Sequence, residues 1–334
     1  MTTDAVITWV DGADPAHRAR LAAHLAERGG KPPRAAHSTR FNDAGELDYC
    51  IASILRFAPW LRHLHIVTDQ QVPALLARLA RTPWAGRVSI VDHRVIFAGF
   101  EHHLPTFNSR AIISMLWRIP ALAEQFVYFN DDMSLLQPVA EDDFFRDGRM
   151  VLRGQWRTQS QHLLLPRIKA WLRSFRGPDA ARVGNLDAQQ RSARLAGFED
   201  RYYRLFHNPY PMRRSVLATF FDEHPDLLAH NAGYRLRSDE QFKTEVLATH
   251  LEIARHEAIL DNRLHTVQLK PSEQWLPRMV AKMARADRDP AAAFLVVQSL
   301  EMAPAEAQAR IAAWLDHRIG RLDTVLADAG ATRA

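Results

Sequence analysis

Short apolar runs alternate with stretches of helical period along the first 135 residues. "AVITWV" (5–10), "LHIVTD" (64–69), "RVSIVDH" (87–93) and "QFVYFNDD" (125–132) have the length and β-rich content of strands. Between them, apolar residues recur every three to four positions. "PAHRARLAAHLAER" (15–28) predicts a helix with Pro15 at a favourable first-turn position. "ELDYCIASILRF" (46–57) places Leu47, Cys50 or Ile51, Ile54 and the following Ala58 on one face. Asp43 followed by Glu46 resembles a capping box in front of it. "PALLARLAR" (73–81) and "SRAIISMLWRI" (109–119) are helical, the second stopping before Pro120. Strands alternating with helices predict βαβ units and a mostly parallel sheet, an α/β fold.

The pattern changes in the second half. Residues 149–176 hold Arg149, Arg153, Arg157, Arg167, Lys169, Arg173 and Arg176 and no acid. Within them "HLLLPRIKAWLRSFRG" is amphipathic, which suits a membrane-surface helix, a guide for a polyanionic substrate, or a solvated face with an apolar underside. After about residue 200 the chain reads as mainly helical, with three dense polar stretches: "FHNPYPMRRSV" (206–216), "YRLRSDEQF" (234–242) and "LDNRLHTVQLKPSE" (260–273). "PAEAQARIAAWLDHRIGRL" (304–322) is an ordinary amphipathic helix suited to packing. The expected organisation is an α/β core over 1–148, a basic helical insertion over 149–200, and a mainly helical part over 201–334, together one compact unit.

Composition narrows the class. With 334 residues, 47% hydrophobic and 24% charged, the chain is globular and long enough for one large or two ordinary domains. A net charge of +5 suits an anionic substrate, nucleic acid or an acidic membrane without choosing among them. The single cysteine, Cys50, excludes a disulfide framework and a cysteine zinc site, and reads as a small core residue. The start "MTTDAVITWVDG" lacks signal-peptide character, and no apolar run reaches about 18 residues. A cytoplasmic protein with at most peripheral membrane contact is expected. No aromatic-rich basic motif points to nucleic acid.

All four expected strands end in aspartate: Asp11, Asp69, Asp92 and the pair Asp131–Asp132 after Asn130. Ligands of open α/β sheets bind beyond the carboxyl ends of the strands. Adjacent carboxylates repel unless a cation or donors sit among them, so this rim suits a divalent metal. Aspartate is also a common turn residue, which is the simpler reading of Asp69 and Asp92.

Longer blocks carry a resemblance. "ITWVDGADP" (7–15), "RFNDAGELDYCIASILRFAPWLRHLHIVTDQQVP" (40–73) and "HLPTFNSRAIISMLWRIPALAEQFVYFNDDM" (103–133) resemble the Stealth family. That family includes bacterial capsular polysaccharide phosphotransferases and the lysosomal-enzyme N-acetylglucosamine-1-phosphotransferase. Weaker blocks follow in order: "HNPYPMRRSVL" (207–217) with "YRLRSDEQF", and the segment around "FLVVQSLEMAPAEAQARI" (294–311). The resemblance implies a Rossmann-like, GT-A-like core with helical additions. It also implies transfer of hexose-1-phosphate from a UDP-sugar to the hydroxyl of an oligosaccharide or polysaccharide acceptor, with UMP leaving and Mg2+ or Mn2+ bound.

The resemblance also distributes roles. Trp9, Asp11 and Gly12 match the first block, with Asp11 or nearby backbone expected at uridine or ribose. Arg40 is expected to pair a phosphate, while Asp43 and Glu46 either join it or cap a helix. Asn108 and Ser109 match a loop entering a helix, whose amides favour an anion. Asp132, and second to it Asp131, would be the metal ligands or supply the acceptor base. His207 would be a general base or phosphate contact, and Arg237, ahead of Arg235, a phosphate-binding arginine; Arg213 and Arg214 are further options. Two places depart from the family pattern: Ile113 stands where many relatives have glutamate, and Gln298–Ser299 where an Asn-Asp pair is common, with Glu301 a nearby substitute. The alternatives are a metal-dependent glycosyltransferase releasing UDP and a degenerate, non-catalytic glycan binder.

Overall fold

The chain's opening apolar run becomes β1 (Thr3–Thr8), buried along almost its whole length, as a strand covered on both faces must be. The computed structural model describes residues 2–29, 45–80, 82–163 and 184–331. Helix α1 (Pro15–Arg28) follows, its first turn closed by Asp14, whose carboxylate accepts from Ala16 N and His17 N at 2.6 and 3.2 Å. Helix α2 (Glu46–Phe57) buries Leu47, Cys50, Ile51 and Ile54. Its N-cap is Gly45 at φ 94°, a left-handed conformation that glycine adopts without a steric cost. Glu46 is therefore the first helical residue, not the third that a capping box needs, and Asp43 lies outside the described residues.

Strands β2 (Leu64–Thr68), β3 (Val88–Asp92) and β4 (Gln125–Asn130) complete the parallel set, with helices α3 (Leu75–Leu79), α4 (His93–Ile96) and α5 (Ser109–Met115) between them. The remaining strands are β5 (Met133–Leu135), β6 (Phe145–Arg146), β7 (Arg149–Leu152), β8 (Gly154–Thr158), β9 (Arg201–Leu205), β10 (Tyr210–Arg213), β11 (Ala258–Leu260), β12 (His265–Leu269) and β13 (Ala292–Val297). The central sheet has the order β10-β4-β1-β2-β3, parallel except for β10, which runs antiparallel to β4 with Tyr210 opposite Tyr128. The fold is thus α/β with a mostly parallel sheet.

Two sequence expectations change. The stretch read as a basic helical insertion begins with strands β7 and β8, which pair with β11 and β9; its helix, Asn185–Leu195, comes later. Arg167, Lys169, Arg173 and Arg176, with most of the amphipathic segment, lie outside the described residues. The region after 200 mixes helices with five strands, because β10 and β13 each fill a place in a sheet begun upstream. The six buried residues of β13, AAFLVV, lie between β12 and β5. Since β5 follows the acid pair directly, Val297 N donates to Asp132 O at 3.0 Å and ties this second sheet to the rim of the first. No described helix is long and apolar enough to cross a membrane.

Candidate active site

The strand-end aspartates diverge in use. Asp11 accepts from Ala13 N at 2.8 Å and Asp92 caps α4 through Arg94 N at 2.9 Å, both turn roles. Asp69 is buried, 3.0 Å from Arg20 Nη2, and faces a cavity of about 490 Å3. Asp131 and Asp132 face the same cavity from the end of β4.

The later chain closes the other side. Because β10 is antiparallel, the residues before it return to the rim where β4 ends, which brings His207 to Asp132. His207 Nε2 lies 3.8 Å from Asp132 Oδ1, and both atoms are buried without a hydrogen-bond partner. Its other ring nitrogen, Nδ1, is 3.3 Å from the Tyr210 hydroxyl. Burial pushes the Tyr210 phenol well above its ordinary pKa, so it stays protonated. Arg237 Nη2 donates to Ser109 Oγ at 2.6 Å, joining the 234–242 block to the start of α5.

Of the residues singled out from sequence, Trp9, Ser109, Asp131, Asp132, His207 and Arg237 line this one cavity. Asp11 and Gly12 stand outside its wall, in the turn after β1. Asn108 is wholly buried: it donates to Tyr234 O and Gln241 Oε1 at 2.7 and 2.8 Å and caps α5, which runs for seven residues. Arg235 donates to His102 O and Leu104 O at 3.2 and 3.0 Å, bracing a loop. Neither lines the cavity. Arg213 is spent on the buried Glu252, donating through Nε at 2.7 Å, and Arg214 donates to Trp117 O at 3.1 Å. Arg40 lies outside the described residues.

The wall also holds residues that sequence reasoning passed over: His17, His93, Tyr128, Tyr210, Lys243 and Glu245. Burial pulls His93 down to about 4 against the pull of Asp69 and Asp92, so its ring is neutral at pH 7. Ile113 and Gln298, the two departures, both line the cavity; Glu301, the substitute that the sequence offered, does not. Glu245 also lines it, a carboxylate in the first turn of the mostly buried helix "TEVLATHLEI".

Among the described residues, no group of three or more His, Cys, Asp or Glu is placed to hold a metal. Mg2+ asks less of a protein: one or two carboxylates, with phosphate oxygens and water completing its shell. Asp131 and Asp132 fit that need, and Asp132 Oδ1 has no competing hydrogen bond.

Family models place this arrangement among known proteins. Residues 4–27 match Stealth protein CR1, conserved region 1, and residues 40–152 match Stealth protein CR2, conserved region 2. The chain is 38% identical over 240 residues to an exopolysaccharide phosphotransferase of Streptomyces coelicolor, covering 70% of this chain and 37% of that protein. It is 32% identical over 220 residues to the capsular polysaccharide phosphotransferase LcbA of Aeromonas hydrophila, covering 64% and 55%. A capsular polysaccharide phosphotransferase of Actinobacillus pleuropneumoniae is 36% identical over 144 residues, covering 43% and 38%. The matches thus span roughly a third to a half of these relatives. Among solved structures, the apo form of mouse xyloside xylosyltransferase 1 aligns with a TM-score of 0.39 at 12% identity, over 80% of this chain and 88% of that one. Conserved regions 1 and 2 of the Stealth family thus stand in order along the first 152 residues of the chain.

Proposed function

We propose that the protein transfers hexose-1-phosphate, an N-acetylhexosamine-1-phosphate by preference, from a UDP-sugar to a sugar hydroxyl of a capsular or cell-surface polysaccharide, releasing UMP. The relatives' names, capsular and exopolysaccharide phosphotransferase, support a sugar-phosphate product. The observation that carries the reading is the meeting of Asp131–Asp132, His207 and the Ser109–Arg237 pair in one cavity, from three distant parts of the chain.

The residues divide the work. In the tautomer whose Nδ1–H donates to the Tyr210 oxygen, His207 presents a lone pair at Nε2 toward Asp132 and the cavity. That nitrogen takes the proton of the acceptor hydroxyl as its oxygen attacks the phosphorus that bears the hexose. Asp132, 3.8 Å away, stabilises the imidazolium that forms. The phosphorus–oxygen bond to UMP breaks, and the Arg237 guanidinium, positioned by Ser109, offsets negative charge on the phosphoryl oxygens. Asp131 and Asp132 would hold Mg2+ or Mn2+, which supplies charge neutralisation on the diphosphate.

The test is the nucleotide produced from a panel of UDP-hexoses, Mg2+ and short glycan acceptors. UMP, lost on chelation, is expected. UDP would instead assign a glycosyltransferase that breaks the C–O bond.

A further inference from the structure

Glu245 is a cavity acid that this reaction leaves unused. It lies in the first turn of the helix Thr244–Ala254 and is only 3% exposed. Its Oε1 sits 2.7 Å from Lys243 Nζ. Its Oε2 is buried with no hydrogen-bond partner, and the residue lines the cavity. A buried polar atom left without a partner costs roughly 1–3 kcal/mol, more when charged. A carboxylate can only accept, so the group that removes this cost is an O–H or N–H brought by a ligand.

Position selects which part of the ligand. The cavity runs along the rim from the β2–β3 side, where Asp69 and His93 stand, to the β4–β10 side, where Tyr128, Tyr210 and His207 stand. The Glu245 helix packs against β10, and the Glu245 charge acts on the hydroxyls of both Tyr128 and Tyr210. Glu245 thus belongs to the end that holds the Asp132–His207 pair, where the phosphorus and its hexose would react.

We propose that Glu245 Oε2 accepts a hydrogen bond from one ring hydroxyl of the donor hexose, with Lys243 fixing the carboxylate, and so selects hexoses that present a hydroxyl there. This rests on the UDP-sugar reading above. It makes Glu245 a specificity-determining residue that touches the sugar and stands apart from the phosphoryl-transfer groups.

Calorimetric titration of the full chain with the preferred UDP-hexose and its monodeoxy analogues tests it. Wild type is expected to bind one analogue about tenfold more weakly, the weight of one hydrogen bond to a charged group. Glu245→Ala should bind that analogue and the parent equally, leaving UDP affinity unchanged. Glu245→Gln keeps the side-chain volume as a guard against misfolding, and should discriminate less than wild type. Unchanged discrimination in Glu245→Ala, or no discrimination in wild type, overturns the Glu245 assignment while UDP-hexose binding still upholds the functional reading. A loss of kcat in Glu245→Gln with discrimination intact also overturns it, by placing the residue in the chemistry. If wild type binds no UDP-hexose, the functional reading itself falls and takes this inference with it.

Discussion

The two ends of the central sheet carry similar side chains and use them in opposite ways. At the end where the parallel strands begin, Asp4 is wholly buried and saturated with donors. Arg62 donates to it through Nε and Nη2 at 2.8 and 2.6 Å, Ala123 N donates at 2.8 Å, and His65 Nε2 lies 3.3 Å away. Burial pushes the Asp4 pKa up, but these bonds outweigh it and hold the carboxyl well below the usual carboxylate range. At the end where the strands finish, Asp132, His207 and Glu245 each keep a buried polar atom with no hydrogen-bond partner. Residue type does not separate the two ends, since both have acids, a histidine and an arginine. Satisfaction does: Asp4 is saturated by protein donors, whereas Asp132 and Glu245 turn toward the cavity with an oxygen that protein donors leave unpaired.

The contrast predicts where each substitution is felt. Asp132→Asn should lower turnover by about 10³-fold, within the range for a positioned acid–base group, and move the melting temperature by less than about 3 °C. Full activity in that variant would break the comparison at its strongest point. Asp4→Ala should do the reverse, costing about 2 kcal/mol by leaving the Ala123 N–H buried without its acceptor. A lowered denaturant midpoint with unchanged UDP affinity of the folded fraction would show it. Loss of UDP binding without loss of stability would erase the distinction between the two ends.

Acid sharpens the same point. The folded-state pKa of Asp4 lies below its unfolded value, so its contribution is complete above about pH 4 and is lost as pH falls further. Between about pH 4 and 2 the denaturant midpoint of wild type should therefore drop more steeply than that of Asp4→Asn. Equal slopes would mean that Asp4 contributes no such linkage. The smallest effect is expected for Ser109→Ala, which removes one hydrogen bond to Arg237. A rise of about fivefold in donor KM with kcat nearly unchanged, roughly 1 kcal/mol, is the expected result.

Local signals made the first half legible. Helices α1 and α2 occupy the expected spans, Pro15–Arg28 and Glu46–Phe57, because periodicity and, for α1, Pro15 are read within one turn of chain. The strands ending near Asp69, Asp92 and Asp131 were equally plain. The antiparallel seat of β10 and the strands at 149–158 were not, because a strand's partner is set by tertiary packing and not by its own sequence. The same division runs through the site. Motif blocks pointed to Trp9, Ser109, Asp131, Asp132, His207 and Arg237, which the fold gathers into one cavity. They also pointed to Asn108 and Arg235, whose bonds to backbone more than a hundred residues away brace loops. Nothing local distinguishes a loop-bracing arginine from one that faces a cavity. Glu245 was hidden for the converse reason: its helix reads as packing, and only the folded chain shows an acid on its buried face.

One measurement bears most directly on the central claim that the strand-finishing end performs the transfer. The nucleotide released from UDP-hexose with Mg2+ and a glycan acceptor would be identified for wild type and Asp132→Asn side by side, with a melt of each. The account predicts UMP from wild type, essentially none from the variant, and matching melts. UDP as the product, or UMP at the wild-type rate from Asp132→Asn, would contradict it.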